Sequence, residues 1–146
     1  MKVILIMKRK FLIATHGIYA KGICNAAELI MGKQNNIFTL CAYTDGNVEI
    51  KDKVKEIVSN IEEDEKLIVL TDIFGGSVNN EFMKYLNDER IYLITGANLP
   101  LVLELISSRE DKSTEKIIEE AIDLSREQIK YCNLLIQQKK CSDNNF

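Results

Sequence analysis

The chain contains one histidine, His16, in a stretch whose residue types could carry out chemistry. It follows the apolar residues 11–14 and precedes Gly17, where the backbone can turn sharply. A buried strand that turns tightly into a helix would place the imidazole at the carboxyl edge of a sheet, where open α/β folds keep their sites. An imidazole in that position can act as a nucleophile. The alternative interpretation is a structural histidine in the core or on the surface.

A second strand-end sequence carries a carboxylate and a glycine-rich turn. Asp72 ends the apolar run 67–72, and Gly75-Gly76-Ser77 opens the helix that follows. The N–H groups and positive dipole end of a helix N-terminus form an anion site. The turn matches neither a Walker A loop nor the GxSxG elbow of hydrolases. A turn aspartate and a plain N-cap serine are the alternatives here.

The apolar pattern predicts strands that alternate with helices. Strands are predicted at residues 11–14, 37–43, 67–72 and 91–95. Helices are predicted at 20–30, from an N-cap at Asn47 to 61, at 77–86, around Pro100, and from Ser113 to Ile136, with fraying from residue 137. This alternation predicts an α/β fold of three α/β/α layers. Its four-stranded, mainly parallel sheet would have the order 2-1-3-4 of a flavodoxin-like, doubly wound domain.

The predicted strand order makes strands one and three neighbours, roughly 4.8 Å apart. His16 and Asp72 each end one of these strands, so we expect their side chains to lie close together. The carboxylate would accept a proton from one ring nitrogen and leave the other nitrogen free. A histidine, its carboxylate and an anion site together suit transient phosphorylation of the imidazole.

Bulk composition narrows the classes of function. The 146 residues, 46% hydrophobic and 28% charged, fit one soluble domain, and the net charge of -3 argues against nucleic acid as a partner. Four dispersed cysteines and a single histidine predict no zinc or other metal site. The cysteines are typical of a reduced, cytoplasmic protein. The apolar start of the chain is too short for a signal peptide.

Three motifs together resemble the EIIA component of the mannose-type (mannose/fructose/sorbose) phosphoenolpyruvate-dependent sugar phosphotransferase system. They are Ala-Thr-His-Gly at 14–17, Thr-Asp-Ile-Phe-Gly-Gly-Ser at 71–77 and Thr-Gly-Ala-Asn-Leu-Pro at 95–100, in family order and spacing. The similarity covers about residues 9–130. It implies a single EIIA domain over 1–146, with an extension at 1–8 and a tail at 137–146.

The resemblance implies that His16 accepts a phosphoryl group from phospho-HPr and passes it to a sugar-specific EIIB, which serves a membrane EIIC/EIID permease. Asp72 matches the aspartate that pairs with the active histidine. With the helix N-terminus described above, the candidate phosphoryl-binding residues are Thr15, Gly75, Gly76 and Ser77. No cofactor is implied, and a homodimer is expected.

Partner proteins would have to reach His16 in an open depression with an apolar rim. The nearest apolar candidates in the three loops at that edge are Phe74, Ile18 and Leu99. Filling of the core is an equal alternative for Leu99. The sequence departs from the family at Val78, where many members have proline. It also lacks a β-rich C-terminal strand of the kind that some members exchange between subunits.

Two other functions stay open at this point. The phosphoryl-carrier subunit of dihydroxyacetone kinase shares the fold and the histidine, but typically shows His-Ser after the first strand and lacks the Phe-Gly-Gly-Ser turn. A non-enzymatic flavodoxin-like regulatory module is the third possibility.

Overall fold

A computed structural model of the chain describes residues 7–46 and 48–144. Four strands and six helices follow one another along this part of the chain, alternating as far as the fourth helix, after which the last two helices come without a further strand. The strands are β1 (Lys8–His16), β2 (Ile37–Ala42), β3 (Glu65–Thr71) and β4 (Ile91–Thr95). The helices are α1 (Tyr19–Met31), α2 (Ile50–Ser59), α3 (Ser77–Met83), α4 (Leu99–Ile106), α5 (Thr114–Arg126) and α6 (Cys132–Asp143).

The four strands form one sheet in the order β2-β1-β3-β4, with every neighbouring pair parallel. This confirms the predicted α/β fold and strand order. His16 pairs with Ala42 at the end of β2, and Ala14 pairs with Thr71 at the end of β3. The carboxyl ends of the three strands therefore meet at one edge of the sheet.

The chain divides into two compact units, residues 1–99 and 100–146. The first contains the whole sheet and α1 to α3. Successive β1 side chains point to opposite faces, and Leu12 and Ala14 join a buried cluster with Val54 of α2 and Phe82 of α3. Helix α1 packs against β1 and β2. Because parallel crossovers are right-handed, connections to strands on either side of β1 place their helices on opposite faces of the sheet.

The second unit is helical. Helix α4 has the buried side chains Leu101, Val102 and Leu105, and α5 buries Ile117 and Ala121. Ser113 caps α5, because its hydroxyl accepts a hydrogen bond from the backbone N–H of Lys116 at 3.2 Å. This cap lies where the sequence predicted the last helix to begin.

The prediction of one continuous helix from Ser113 to Ile136 was wrong. Helix α5 ends at Arg126, and a separate α6 begins at Cys132. The apolar residues beyond α5 keep helical spacing but are not buried, and the Ile129 side chain is 85% exposed. The apolar spacing continues across the break at residues 127–131, and α6 itself has no buried residue, so neither the spacing nor burial marks where α5 ends. The expected fraying from residue 137 was also wrong, since α6 continues to Asp143.

Smaller differences concern where elements begin and end. Strand β1 already includes Lys8, which was assigned to the extension, while residues 1–6 and the proposed cap Asn47 lie outside the described residues. Helix α3 ends at Met83, before the predicted Leu86. Strand β2 ends at Ala42, and Tyr43, predicted to belong to it, lies in a turn.

Candidate active site

His16 and Asp72 are in direct contact at the carboxyl edge of the sheet. Atom Oδ2 of Asp72 lies 2.9 Å from the backbone N of His16 and 2.9 Å from its ring atom Nδ1. The two residues are 56 positions apart in sequence, and the parallel pairing of β1 with β3 brings them together. The imidazole is 42% exposed and the Asp72 side chain 15%.

The surroundings of Asp72 keep its carboxyl group ionised. Burial acts to raise its pKa, but the backbone N–H and the imidazole of His16 together lower the pKa below its ordinary value. The other oxygen, Oδ1, accepts a hydrogen bond from the backbone N–H of Ile73 at 3.1 Å. An ionised carboxylate can only accept, so the proton between the two side chains is on Nδ1. In the neutral form of the ring, Nε2 is then the free acceptor nitrogen.

Side chains of α3 fix the glycine-rich turn that follows Asp72. The hydroxyl of Thr71 donates to Oδ1 of the buried Asn79 at 2.8 Å, which ties α3 to the end of β3. The side-chain amide of Asn80 donates to the carbonyl oxygen of Gly75 at 3.0 Å. Gly75 has a φ of +77°, a conformation that a residue with a side chain adopts only under strain. Asn79 and Asn80 of α3 thus anchor the turn, one at Thr71 before it and the other at Gly75 within it.

The same turn passes directly beside the imidazole. A Cβ atom at Gly76 would lie 3.2 Å from His16 Cε1 and 2.8 Å from Ile73 Cγ2, so a side chain there would press on the ring. Oγ of Ser77 lies 3.3 Å from His16 Nε2. Gly76 and Ser77 therefore border the ring on the side of its free nitrogen.

Thr15 lies beneath the site rather than at its surface. Its side chain is fully buried, and Oγ1 accepts a hydrogen bond from the backbone N–H of Ala20 at 2.8 Å. That N–H is one of the first donors of α1, which have no partner within the helix. Thr15 thereby ties the strand end to the start of α1.

The three residues predicted to form an apolar rim differ in exposure. Phe74 is 78% exposed and Ile18 is also largely exposed, whereas Leu99 is half-buried. Two exposed apolar side chains thus flank the strand ends that carry His16 and Asp72.

Sequence reasoning missed one residue of the site, Tyr43. Its ring stacks on the imidazole of His16, with centroids 5.6 Å apart and an interplanar angle of 22°. Its hydroxyl donates a hydrogen bond to Oγ of Ser77 at 2.6 Å. The available signal was position: Tyr43 is the last residue of the run predicted as strand two, and the predicted order makes that strand a neighbour of the strand that carries His16.

The chain is similar to known proteins over most of its length. Residues 10–122 match the family model EIIA-man, described as the PTS system fructose IIA component. The chain belongs to this family. The three motifs that carried the resemblance all fall within the matched residues, so the family predicted from sequence is confirmed.

Individual relatives agree with this assignment to EIIA. The chain is 23% identical over 134 residues to the PTS system fructose-specific EIIA component of Bacillus subtilis, covering 90% of this chain and 92% of that protein. It is 27% identical over 121 residues to the mannose-specific EIIAB component of Escherichia coli K12, covering 81% of this chain but only 38% of that protein.

A solved structure is similar over most of the chain. It comes from Klebsiella pneumoniae and is named as a phosphoenolpyruvate-dependent sugar phosphotransferase system permease. It has a TM-score of 0.86 and 45% sequence identity, and the match covers 89% of this chain and 95% of that one. The chain is therefore a mannose-family EIIA component of a sugar phosphotransferase system, a class that acts in phosphoryl transfer during sugar uptake.

The described part of this EIIA holds neither a metal-binding cluster nor a membrane-spanning helix. Within residues 7–46 and 48–144, no group of three or more histidine, cysteine, aspartate or glutamate side chains could hold a metal ion. None of the helices in those ranges combines the length and the apolar composition that a membrane crossing requires.

Proposed function

We propose that His16 carries the phosphoryl group, accepting it from the phosphohistidine of HPr and passing it to a sugar-specific EIIB. The observation that carries this proposal is the contact between His16 Nδ1 and the ionised Asp72 at 2.9 Å, which leaves Nε2 as the free nitrogen of an exposed ring. Neutral imidazole with its other nitrogen paired to a carboxylate is an effective nucleophile.

The proposed step balances without any further reactant. The lone pair of His16 Nε2 forms the new N–P bond while the N–P bond to the donor histidine breaks. The proton stays on Nδ1, so the phosphorylated ring acquires positive charge, and the carboxylate of Asp72 stabilises that charge. Transfer to EIIB is the same step in reverse, with a different histidine or other acceptor. Such transfers depend mainly on positioning and electrostatics.

The groups around Nε2 would hold the phosphoryl oxygens. Ser77 Oγ is within 3.3 Å of Nε2, and Gly76 leaves space beside the ring that any side chain would fill. Gly75, which directly precedes Gly76, allows the backbone to turn here through its positive φ. Thr15, which is buried beneath the ring, would act by positioning the strand end rather than by touching the phosphoryl group.

HPr and EIIB would dock in turn on the surface that surrounds the exposed imidazole. The exposed side chains of Phe74 and Ile18 support this, since aromatic side chains are enriched in protein interfaces and Ile18 adds apolar surface beside His16. Because both partners need the same nitrogen, their binding would be mutually exclusive. Leu99, half-buried, would contribute less to this surface.

The experiment is phosphorylation in a reconstituted system. The protein is incubated with phosphoenolpyruvate, enzyme I and HPr, and we expect one acid-labile phosphoryl group per chain. A His16→Gln variant should fold and take up none. Label of equal amount on that variant would overturn the proposal.

Wider features of the family are proposed on the same basis. The protein would form one EIIA domain, as the family match to residues 10–122 continues across the boundary between the two compact units. It would act in the cytoplasm as a homodimer and serve an EIIC/EIID permease through EIIB. Sedimentation equilibrium would test the dimer. The sugar does not follow from the relatives, whose names specify fructose in one case and mannose in another.

A further inference from the structure

Tyr43 has an unusual backbone conformation. Its φ is +64°, and among the described residues it is the one residue other than glycine with a positive φ. Positive φ is rare for a bulky residue, and such conformations cluster at functional sites. The preceding residue is fixed by the sheet: Ala42 pairs with His16, and its carbonyl oxygen accepts a hydrogen bond from Gly17 N at 2.9 Å.

This conformation directs the Tyr43 side chain over the active site. The ring stacks beside the imidazole with 5.6 Å between centroids, and the hydroxyl donates to Ser77 Oγ at 2.6 Å. Ser77 Oγ is in turn 3.3 Å from His16 Nε2. Tyr43 thus contacts His16 directly through its ring and indirectly through Ser77.

The direction of these hydrogen bonds follows from Asp72. In the neutral form of the ring with its proton on Nδ1, facing Asp72, the ring atom Nε2 is an acceptor and the hydroxyl of Ser77 donates to it. The lone pairs of Ser77 Oγ are then available to accept the short hydrogen bond from Tyr43. Donation runs in one direction, from Tyr43 to Ser77 to His16, and a chain of this kind strengthens each of its bonds.

We propose that Tyr43 is a positioning residue for phosphoryl transfer, and that it acts through Ser77. This rests on the proposed role of His16 as phosphoryl carrier. The Tyr43 hydroxyl holds Ser77 Oγ at the Nε2 edge of the ring, so that the Ser77 O–H turns from Nε2 to a phosphoryl oxygen as the N–P bond forms. Both hydroxyl groups keep their protons throughout. The stacked ring of Tyr43 fixes the plane of the imidazole toward the incoming donor.

Two variants separate the ring of Tyr43 from its hydroxyl. Tyr43→Phe keeps the stacking and removes the hydrogen bond to Ser77, while Tyr43→Asn also removes the ring but tolerates the positive φ. Tyr19→Phe is the matched control, because it removes another partly exposed hydroxyl, one that donates to the carbonyl oxygen of Ala97 at 3.0 Å. Circular dichroism verifies that each variant is folded.

The measurement is the rate of phosphoryl transfer from phospho-HPr, together with the lifetime of the phosphorylated protein. We expect Tyr43→Phe to slow transfer by about fivefold, as for the loss of one neutral hydrogen bond, and Tyr43→Asn to slow it further. Tyr19→Phe should transfer at the wild-type rate. The Tyr43→Phe variant should also shift the ¹⁵N resonance of Nε2 in the unphosphorylated protein, which a purely structural role would not do.

A double-mutant cycle with Ser77→Ala tests the route of the effect. If Tyr43 acts through Ser77, adding Tyr43→Phe to Ser77→Ala should cause no further loss. Independent, additive losses would overturn the proposal, as would wild-type transfer and an unchanged Nε2 resonance in Tyr43→Phe. If the wild-type protein itself takes up no phosphoryl group, the proposed function fails and the role of Tyr43 in transfer fails with it. Phosphorylation of the wild type with no effect of Tyr43→Phe overturns the role of Tyr43 alone.

Discussion

One oxygen of Asp72 accepts two hydrogen bonds from the same residue, His16. Oδ2 lies 2.9 Å from the backbone N and 2.9 Å from Nδ1 of that residue. The first bond holds the end of β1 in place, and the second sets the plane and the tautomer of the imidazole. The carboxylate therefore serves both the local fold and the chemistry of the ring, and its removal should affect both.

Asp72→Asn should slow phosphoryl transfer by about tenfold or more. The amide oxygen can still accept from Nδ1, but it cannot offset the positive charge that the ring acquires, and hydrogen bonds to charged groups are worth about 1.5–3 kcal/mol. The measurement is the single-turnover rate from phospho-HPr, with thermal unfolding in parallel. A folded Asp72→Asn protein that transfers at the wild-type rate would contradict this role.

Asp72 should also make stability depend on pH. Its pKa in the folded protein is below the ordinary value of 3.8, so the unfolded chain takes up a proton at higher pH than the folded chain does. The stabilisation is therefore present above about pH 4 and is lost as pH falls through the lowered pKa. Denaturant unfolding from pH 6 to pH 3 should show a steeper fall for wild type than for Asp72→Asn. Equal slopes would mean that contact with His16 does not lower the pKa of Asp72 on folding, and that the pair adds no pH-dependent stability.

Gly76→Ala should disturb the imidazole without requiring a new backbone conformation. Its φ of -68° suits alanine, but the added Cβ would lie 3.2 Å from His16 Cε1 and 2.8 Å from Ile73 Cγ2. Overpacking of this kind costs about 1–3 kcal/mol, and displacement of the ring should slow transfer. The measurements are the unfolding free energy and the transfer rate.

Gly22→Ala is the control for that change. Gly22 lies within α1 and a Cβ there would have nothing within 4 Å, so alanine should stabilise the helix by about 0.5–1 kcal/mol and leave transfer unchanged. If the two alanine variants had the same unfolding free energy and the same transfer rate, the close approach of Gly76 to the imidazole would not matter for either.

Phe74→Ala tests the proposed docking surface. Because the side chain is 78% exposed, its removal should leave stability nearly unchanged, while loss of an aromatic anchor should slow transfer from HPr and to EIIB by about tenfold. Leu29→Ala removes an equally exposed apolar side chain from α1 and should transfer normally. If the two variants transfer at the same rate, Phe74 is not part of the docking surface.

The sheet and the His16–Asp72 pair could be predicted because both follow from strong, short patterns. Runs of apolar residues identify buried strands, and the alternation with helices restricts the strand order to a few choices. The order 2-1-3-4 then places the ends of strands one and three together. Because these strand ends are adjacent, His16 Nδ1 and Asp72 Oδ2 come into contact.

The position of Tyr43 at the end of strand two was available from the sequence, but its contact with His16 was not, because that contact depends on one backbone angle. In the sequence it continues the β-rich run of strand two, and nothing in that run indicates a positive φ at a tyrosine. The break between α5 and α6 was missed for a different reason. Helical spacing continues through Ile129 without glycine or proline, so the sequence carries no signal for the break at residues 127–131.

The central claim is that Nε2 of His16 carries the phosphoryl group. A direct test is ³¹P–¹⁵N correlation NMR on protein labelled with ¹⁵N in histidine and phosphorylated through phosphoenolpyruvate, enzyme I and HPr. Since the chain has one histidine, the assignment is unambiguous. We predict a single phosphohistidine with phosphorus bonded to Nε2 and a proton retained on Nδ1. Phosphorus bonded to Nδ1, or a phosphoryl group on any residue other than His16, would contradict the account.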